Sequence, residues 1–189
     1  DVRHADGGMA EAQFRLAMAL RNGKGVTYDT KAARTYFTKA SDQGHVEAKV
    51  ELARMYLYGI GGSANRFVAR KLYIDAAEAG HAYAAERLAQ AYRWGDDLAG
   101  VNQSKAAEYY HKAVDNGSLR ALADLGYFYM YGVAVPENKA KAISYYRRGV
   151  AKGDGLAEYY LGSAYRYGKG LPKNEAEAMR LFNLAVADG

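Results

Sequence analysis

The sequence predicts an all-α fold, an α-solenoid of about five helix-turn-helix repeats of 36–37 residues. Three observations lead to this prediction. Glycines recur every 36 or 37 residues, at Gly8, Gly44, Gly80, Gly117, Gly153 and Gly189. A second series follows the first five at a fixed interval, at Gly23, Gly59, Gly95, Gly132 and Gly168. Columns of alanine, leucine and aromatic residues keep the same period, and a fixed repeat of this length is typical of solenoids.

The first helix of each repeat is predicted from residues four apart. An alanine column is Ala12, Ala48, Ala84, Ala121 and Ala157, and a leucine column is Leu16, Leu52, Leu88, Leu125 and Leu161. The third column is Leu20, Tyr56, Tyr92, Tyr129 and Tyr165. This spacing places the three columns on one helical stripe. The second-series glycine then ends the helix, because glycine readily adopts the left-handed C-terminal conformation.

The second helix begins at a column of polar residues that are preferred as N-caps, namely Asp29, Asn65, Asn102, Asn138 and Asn174. Pro136 and Pro172 precede two of these caps, where they interrupt no helix. Alanines and bulky residues follow at helical spacing, as in Ala142 with Tyr145-Tyr146. The next repeat's first glycine is expected to end this helix.

These columns divide the chain into repeats within one predicted domain, residues 1–189. The predicted repeats are residues 8–43, 44–79, 80–116, 117–152 and 153–188. Residues 1–7 resemble the end of the last helix, so they are interpreted as the tail of a preceding second helix, and Gly189 as the start of a sixth repeat. We therefore expect a longer native array. The third repeat has one additional residue, within the loop 96–100.

At these columns the sequence resembles the Sel-one-like repeat family, a relative of the tetratricopeptide repeats. The family pattern is approximately A-x-x-x-L-G-x-x-Y-x-x-G-x-G-V, followed by K-A-x-x-W/Y-Y-x-K-A-A-x-x-G. The stretch from Ala157 to Leu171 matches its first half, and Lys141 to Tyr146 matches the start of its second. Gly62 and Asp97 depart from the pattern within loops.

The resemblance implies a right-handed superhelix of antiparallel helix pairs. It also implies a scaffold or adaptor role, commonly in bacteria and often in envelope assembly or virulence. The sequence alone leaves the compartment open, and the resemblance favours the bacterial periplasm or cell envelope over the cytoplasm.

Composition excludes several classes of function. The chain has no cysteine, which excludes disulfides, thiolate metal sites and cysteine catalysis. Its net charge of +5 comes from 26 basic and 21 acidic residues that are interspersed, so nucleic-acid binding is not expected. No stretch approaches the roughly 18–20 apolar residues of a membrane span.

No catalytic or metal-binding constellation is apparent, and neither enzymatic activity nor a cofactor is predicted. His45 and His81 follow turn glycines and are interpreted as exposed loop histidines. Asp96-Asp97 lacks the further oxygen ligands of a calcium site. Gly168-Lys169-Gly170 leaves a helix rather than entering one, unlike a phosphate-binding loop.

The most informative surface is the inner face of the superhelix, which first helices line in related repeats. Removing the core stripe leaves candidate partner-binding residues, mostly Arg, Tyr and Trp, which are types enriched at interfaces. They are Arg21, Arg54, Tyr58, Gln90, Arg93, Trp94, Tyr127, Tyr131, Tyr159, Arg166 and Tyr167. Arg21, Arg93 and Arg166 share one column, and guanidinium groups pair well with carboxylates. Two alternatives remain: the aromatic residues Tyr58, Trp94, Tyr131 and Tyr167 fill the core between repeats, and the arginines are simply solvated.

The sequence therefore predicts a non-enzymatic scaffold that binds a protein or peptide partner with acidic groups along this inner face. The alternative function is binding of envelope carbohydrate, peptidoglycan or an exopolysaccharide, because 18 tyrosines and one tryptophan could stack on sugar rings.

Overall fold

The computed structural model describes residues 2–188 and the side chains of residues 8–187. Ten α-helices and no strand lie within these residues, as the repeat pattern predicts. The helices are α1 Val2–Asn22, α2 Thr30–Asp42, α3 Val46–Tyr58, α4 Arg66–Glu78, α5 Ala82–Trp94, α6 Gln103–Asp115, α7 Arg120–Tyr131, α8 Lys139–Val150, α9 Gly155–Tyr167 and α10 Glu175–Asp188. The chain is an all-α solenoid of helical hairpins, and its odd-numbered helices are the first helices of the repeats.

The helices group into two compact units, an N-terminal unit, Asp1–Val101, and a C-terminal unit, Asn102–Gly189. Within the N-terminal unit α1 packs on α2, α2 on α3, α3 on α4 and α4 on α5. Within the C-terminal unit the same succession runs from α6 to α10. Each helix packs mainly on its neighbours in sequence, which is the contact pattern of a repeat array.

The core of the N-terminal unit lies where α1, α2 and α3 meet. Phe37 of α2 is fully buried there among Ala17, Leu52 and Met55. Ala33, Ala40 and Ala48 have no exposed surface, so backbones approach closely around the ring. In the C-terminal unit, Tyr146 and Leu161 hold the positions that correspond to Phe37 and Leu52, and Leu181 packs in the same cluster. The large residues of the sequence columns therefore pack against the small residues of the neighbouring columns.

The predicted N-caps of the second helices are confirmed. Asp29 accepts hydrogen bonds from the N–H groups of Lys31 and Ala32, both at 2.9 Å. The four asparagines of the column accept bonds of 2.9–3.1 Å from backbone N–H groups two or three residues on. Each cap satisfies donors that the first helical turn leaves without intrahelical partners.

The predicted glycine C-caps are confirmed at three first helices. Gly59, Gly132 and Gly168 adopt the left-handed conformation, with φ of 66–67°. Gly95 differs, with φ 74° and ψ 125°, and it opens the lengthened loop of the third repeat.

The chain start departs from the predicted pattern. α1 continues through Gly8 without a break, whereas Gly44, Gly80, Gly117 and Gly153 all have positive φ. The predicted turn at Gly8 is therefore not observed. The side chains of residues 1–7 and all of Gly189 lie outside the described residues, so the preceding helix and the sixth repeat stay predictions.

Candidate functional site

Four aromatic residues end four successive first helices, and all are exposed. Tyr58 and Tyr167 are each 65% exposed, Trp94 is 70% exposed and Tyr131 is 47% exposed. These rings therefore do not fill the core between repeats, and that alternative reading of the sequence is wrong. Leaving an aromatic side chain in water forgoes roughly 1.5–3 kcal/mol of burial free energy. The repeated exposure is thus not explained by packing.

The three arginines of the shared column have different environments. Arg21 forms an ion pair with Glu51, and both side chains are about one-fifth exposed. Arg93 is buried, and its guanidinium carbon lies 4.5 Å from the ring centroid of Trp94. Arg166 is exposed beside Tyr167. The alternative that the arginines are simply solvated therefore holds for Arg166 alone. The position of an arginine in the repeat did not predict its environment, because an ion pair such as Arg21–Glu51 depends on a residue of another helix.

In the N-terminal unit, Arg21 and Arg54 share one carboxylate. Glu51 accepts from Arg21, and Arg54 Nη1 lies 3.4 Å from Glu51 Oε2. The two guanidiniums border a cleft of about 350 Å³ that Tyr28 and Ile60 also line. Two positive charges against one negative charge leave the cleft with a surplus of positive charge.

Gln90 is the remaining predicted residue of this unit. Its side-chain amide donates a hydrogen bond to Glu86 Oε1 at 3.2 Å. Glu86 is itself only 7% exposed. Gln90 is therefore engaged within its own helix.

The C-terminal unit contains a cleft of about 190 Å³ that is rich in tyrosine. We call it the tyrosine cleft, and its lining residues are Met130, Tyr131, Tyr146, Tyr159, Tyr160, Ser163, Ala164, Tyr167 and Lys169. The predicted residues Tyr131, Tyr159 and Tyr167 thus meet in one place. Tyr127 supports them, because its ring centroid lies 4.7 Å from that of Tyr131 and 5.8 Å from that of Tyr160.

Lys169 is a functional candidate that sequence reasoning missed. Its ammonium donates a hydrogen bond to Tyr131 Oη at 3.2 Å and lies 4.6 Å from the Tyr131 ring centroid. It belongs to the Gly168-Lys169-Gly170 loop, whose sequence does not match a phosphate-binding loop and indicates no other binding role. Folding of this loop over α7 places a positive charge at the cleft, and no carboxylate is among the lining residues.

A polar cluster on the other side of α7 was also missed. Tyr129 Oη lies 2.9 Å from His111 Nε2 and accepts a hydrogen bond from Lys141 Nζ at 2.7 Å. Burial lowers the pKa of His111 below its ordinary value of 6.5, and the Lys141 ammonium lowers it further, whereas Asp115 acts in the opposite direction. The folded protein therefore favours the neutral imidazole at this position.

The lowered pKa of His111 predicts a specific dependence of stability on pH. As pH falls below about 6.5, the unfolded chain binds a proton at His111 more readily than the folded chain, so stability is lost. We expect His111→Gln to lose less stability than wild type between about pH 7.5 and pH 5.5, because glutamine does not titrate. Urea unfolding at each pH measures the difference. Equal losses in the two proteins would contradict the assignment.

His45 and His81 are helix caps rather than exposed loop residues, so that interpretation is wrong. His45 Nδ1 accepts from Ala48 N at 3.1 Å, and His81 Nδ1 accepts from Ala84 N at 3.2 Å. Asp154 caps α9 in the same way, and Ser118 Oγ, one residue before the N-cap position of α7, accepts from Ala121 N at 3.2 Å. Among the described residues, no group of three or more His, Asp or Glu side chains could hold a metal ion. None of the described helices has the length and apolarity to cross a membrane.

The stacked helical hairpins identify the protein class as a helical-repeat solenoid, and its exposed aromatic side chains are available for contacts. The Sel1 repeat model matches five consecutive segments, residues 10–45, 46–81, 82–118, 119–154 and 155–189. The chain belongs to the Sel1 repeat family. Proteins with these repeats usually mediate protein–protein interactions, and the fold is typically a non-catalytic scaffold.

Solved bacterial structures agree with this assignment. A Sel1 repeat protein from Oxalobacter formigenes is 31% identical, with a TM-score of 0.88 over 95% of this chain and 74% of that chain. A protective antigen present in uropathogenic Escherichia coli strains, which displays an SLR fold, is 29% identical, with a TM-score of 0.86. That match covers 98% of this chain but only 39% of the antigen.

A more distant similarity is to cysteine rich protein B from Helicobacter pylori. It is 27% identical, with a TM-score of 0.50 over 66% of this chain and 88% of that chain. This chain, in contrast, contains no cysteine. No curated protein matches the sequence significantly.

Proposed function

We propose that the chain is a non-enzymatic scaffold that binds a protein segment carrying acidic groups. The contact surface of each unit is its first-helix surface, which comprises the exposed ends of α3 and α5 in the N-terminal unit and those of α7 and α9 in the C-terminal unit. One observation carries the proposal: the last residue of each of these four helices is aromatic and exposed. Aromatic residues and arginine are the types that dominate binding free energy at protein interfaces.

Charge supports an acidic partner at the tyrosine cleft. Lys169 lies at the cleft and Arg166 lies beside Tyr167, whereas the lining contains no Asp or Glu. An apolar or aromatic side chain of the partner could enter between the tyrosine rings, with a neighbouring carboxylate near the two cations. Such a pairing combines burial of an aromatic surface with a charge-assisted hydrogen bond.

The N-terminal unit offers a related arrangement. Arg21 and Arg54 share Glu51, so their cleft retains positive charge that a partner's carboxylate would neutralise. Tyr58 and Trp94 provide exposed aromatic surface on the same unit. The two units could therefore engage acidic segments by similar chemistry.

Carbohydrate binding is the second candidate, favoured by the tyrosine cleft. Its tyrosine rings can stack on a sugar ring, and the tyrosine hydroxyls, Ser163 and Lys169 can donate hydrogen bonds to the sugar. A glycan array that includes peptidoglycan fragments tests this candidate. Binding that requires Tyr131 and Tyr167, with no peptide ligand found, would replace the protein-binding proposal.

The test is selection from a random peptide library displayed on phage, followed by affinity measurement with fluorescein-labelled peptides. We expect the selected peptides to be enriched in Asp and Glu next to an apolar residue. Tyr131→Ala combined with Tyr167→Ala should weaken the best peptide at least about tenfold, because interface aromatics often contribute 2 kcal/mol or more. Arg166→Glu should weaken it further.

Tyr83→Ala is the matched control. Tyr83 is 45% exposed, close to the 47% of Tyr131, but it lies at the opposite end of a first helix, in α5. Its replacement should leave peptide affinity unchanged. Equal affinity of wild type and the Tyr131/Tyr167 double variant would overturn the proposal.

A further inference from the structure

The N-terminal part of α4 carries an exposed aromatic residue that the repeat architecture does not require. Phe67 is 68% exposed and stands two residues after the cap Asn65. The corresponding residues of the other repeats are polar or small, namely Lys31, Ser104, Ala140 and Ala176. Phe67 lies on a second helix, so it belongs to a different surface from the first-helix surface.

Two arginines flank this ring, and together the three residues form what we call the α4 patch. The guanidinium carbons of Arg66 and Arg70 each lie 5.8 Å from the Phe67 ring centroid. Neither arginine forms an ion pair with any residue in the described part of the chain. Arg66 is exposed and Arg70 is half-buried, so two positive charges without a paired carboxylate among the described residues lie beside an apolar ring.

The electrostatics of the α4 patch are unfavourable in the free protein. Arg66 and Arg70 are four residues apart, so two like charges lie on the same face of the helix. Arg66 is also the first residue of α4, where the helix dipole disfavours positive charge and the first turn has no acidic residue. A bound anion would relieve both effects.

The opposite wall of the patch is the lengthened loop of the third repeat. Arg66, Phe67 and Arg70 line a cleft of about 200 Å³ with residues 96–100. Asp96 is already occupied there, since it pairs with Arg87 at 2.5 Å and accepts from the N–H groups of Leu98 and Ala99. Burial alone would raise the pKa of Asp96, but these hydrogen bonds and the Arg87 charge lower it. Asp97 is the other carboxylate of this wall, and it too is exposed.

We propose that the α4 patch is a second docking site, which takes an acidic peptide segment whose carboxylates pair with Arg66 and Arg70 and whose apolar side chain covers Phe67. The planar guanidinium group matches a carboxylate in geometry, and the cleft accommodates a side chain beside the ring. This site goes beyond the proposed function because it lies on another surface and uses none of the tyrosines. It would let the protein hold two partners at once.

The probe is a fluorescein-labelled peptide, Glu-Glu-Leu-Glu-Glu, measured at low ionic strength against protein carrying Tyr131→Ala and Tyr167→Ala. This background removes the tyrosine cleft as a competing site. Arg66→Glu with Arg70→Glu should weaken binding at least about tenfold, and Phe67→Ser about threefold or more. Asp97→Asn should strengthen binding, since it removes a negative charge from the opposite wall.

The charge-matched control is Arg147→Glu with Arg148→Glu, an exposed pair on α8 that changes the net charge equally. If it weakens binding as much as the α4 variants do, the attraction is nonspecific and the proposal fails. Amide shifts in a ¹⁵N NMR titration should change in α4 and the loop 96–100, and changes confined elsewhere would also overturn it. Tighter, Arg66-dependent binding of a single-stranded oligonucleotide would assign the patch to nucleic acid instead. Unchanged circular dichroism confirms folding.

Discussion

Replacing Gly61 with alanine is expected to destabilise the N-terminal unit by roughly 2–5 kcal/mol, the sum of backbone strain and steric overlap. Gly61 has φ 70°, a conformation that side chains disfavour. A β-carbon there would overlap the carbonyl of Thr30, because this loop packs on the start of α2 in the preceding repeat. Backbone atoms at the start of a capped helix cannot move aside cheaply. Urea unfolding followed by circular dichroism measures the change.

Gly25→Ala is the matched control, because Gly25 holds the equivalent position in the first repeat. Its φ is 76°, but a β-carbon there would meet no atom within 4 Å. The expected cost is about 1–2 kcal/mol from conformation alone. Ala134 already occupies the equivalent position in the fourth repeat with φ 54°. Equal losses for Gly61→Ala and Gly25→Ala would mean that the overlap with Thr30 is not the cause.

Phe37→Ala is expected to destabilise the N-terminal unit by about 3–5 kcal/mol. The Phe37 ring is fully buried where three helices meet, and its centroid lies 5.9 Å from that of Phe14. Truncation removes apolar contacts and leaves a cavity, since Ala33, Ala40 and Ala48 around it have no side chains long enough to fill the space. The free energy of urea unfolding and the melting temperature should both fall.

Phe67→Ala is the control for this substitution, since it removes the same atoms from an exposed position. It should change the free energy of unfolding by no more than about 0.5 kcal/mol, as surface substitutions usually do. If Phe37→Ala proves as mild as Phe67→Ala, the packing between α1, α2 and α3 is not what stabilises this unit.

The predicted local structure agrees closely with the observed helices because local interactions determine it. The five cap residues of the second helices, the first being Asp29 and the last Asn174, accept hydrogen bonds from backbone N–H groups two or three residues away. The glycines that end the first helices act through their own left-handed backbone conformation. Neither depends on distant parts of the chain. The same logic could have found His45 and His81, since they occupy the N-cap position, but histidine is an uncommon cap.

The candidate site was predicted less completely. The sequence identified Tyr131, Tyr159 and Tyr167, and the structure brings all three to one cleft with Lys169. It could not separate Arg21, Arg93 and Arg166, which share a column but differ in their partners. Whether an arginine forms an ion pair depends on an acidic residue of another helix, such as Glu51. The periodic pattern of the sequence does not predict such a pairing.

The sequence by itself determined that this chain is a helical repeat protein, with its caps, its turns and its small-residue columns, because a period of 36–37 residues and local backbone chemistry suffice for that. Tertiary structure decided which side chains stay in water and which charges meet. In the folded chain, the aromatic residues at the ends of four first helices are exposed, and Lys169 contacts Tyr131. The lengthened loop of the third repeat lies opposite Arg66, Phe67 and Arg70. The reason is that exposure and charge pairing are properties of packed neighbours, which a residue's own position in the repeat does not specify.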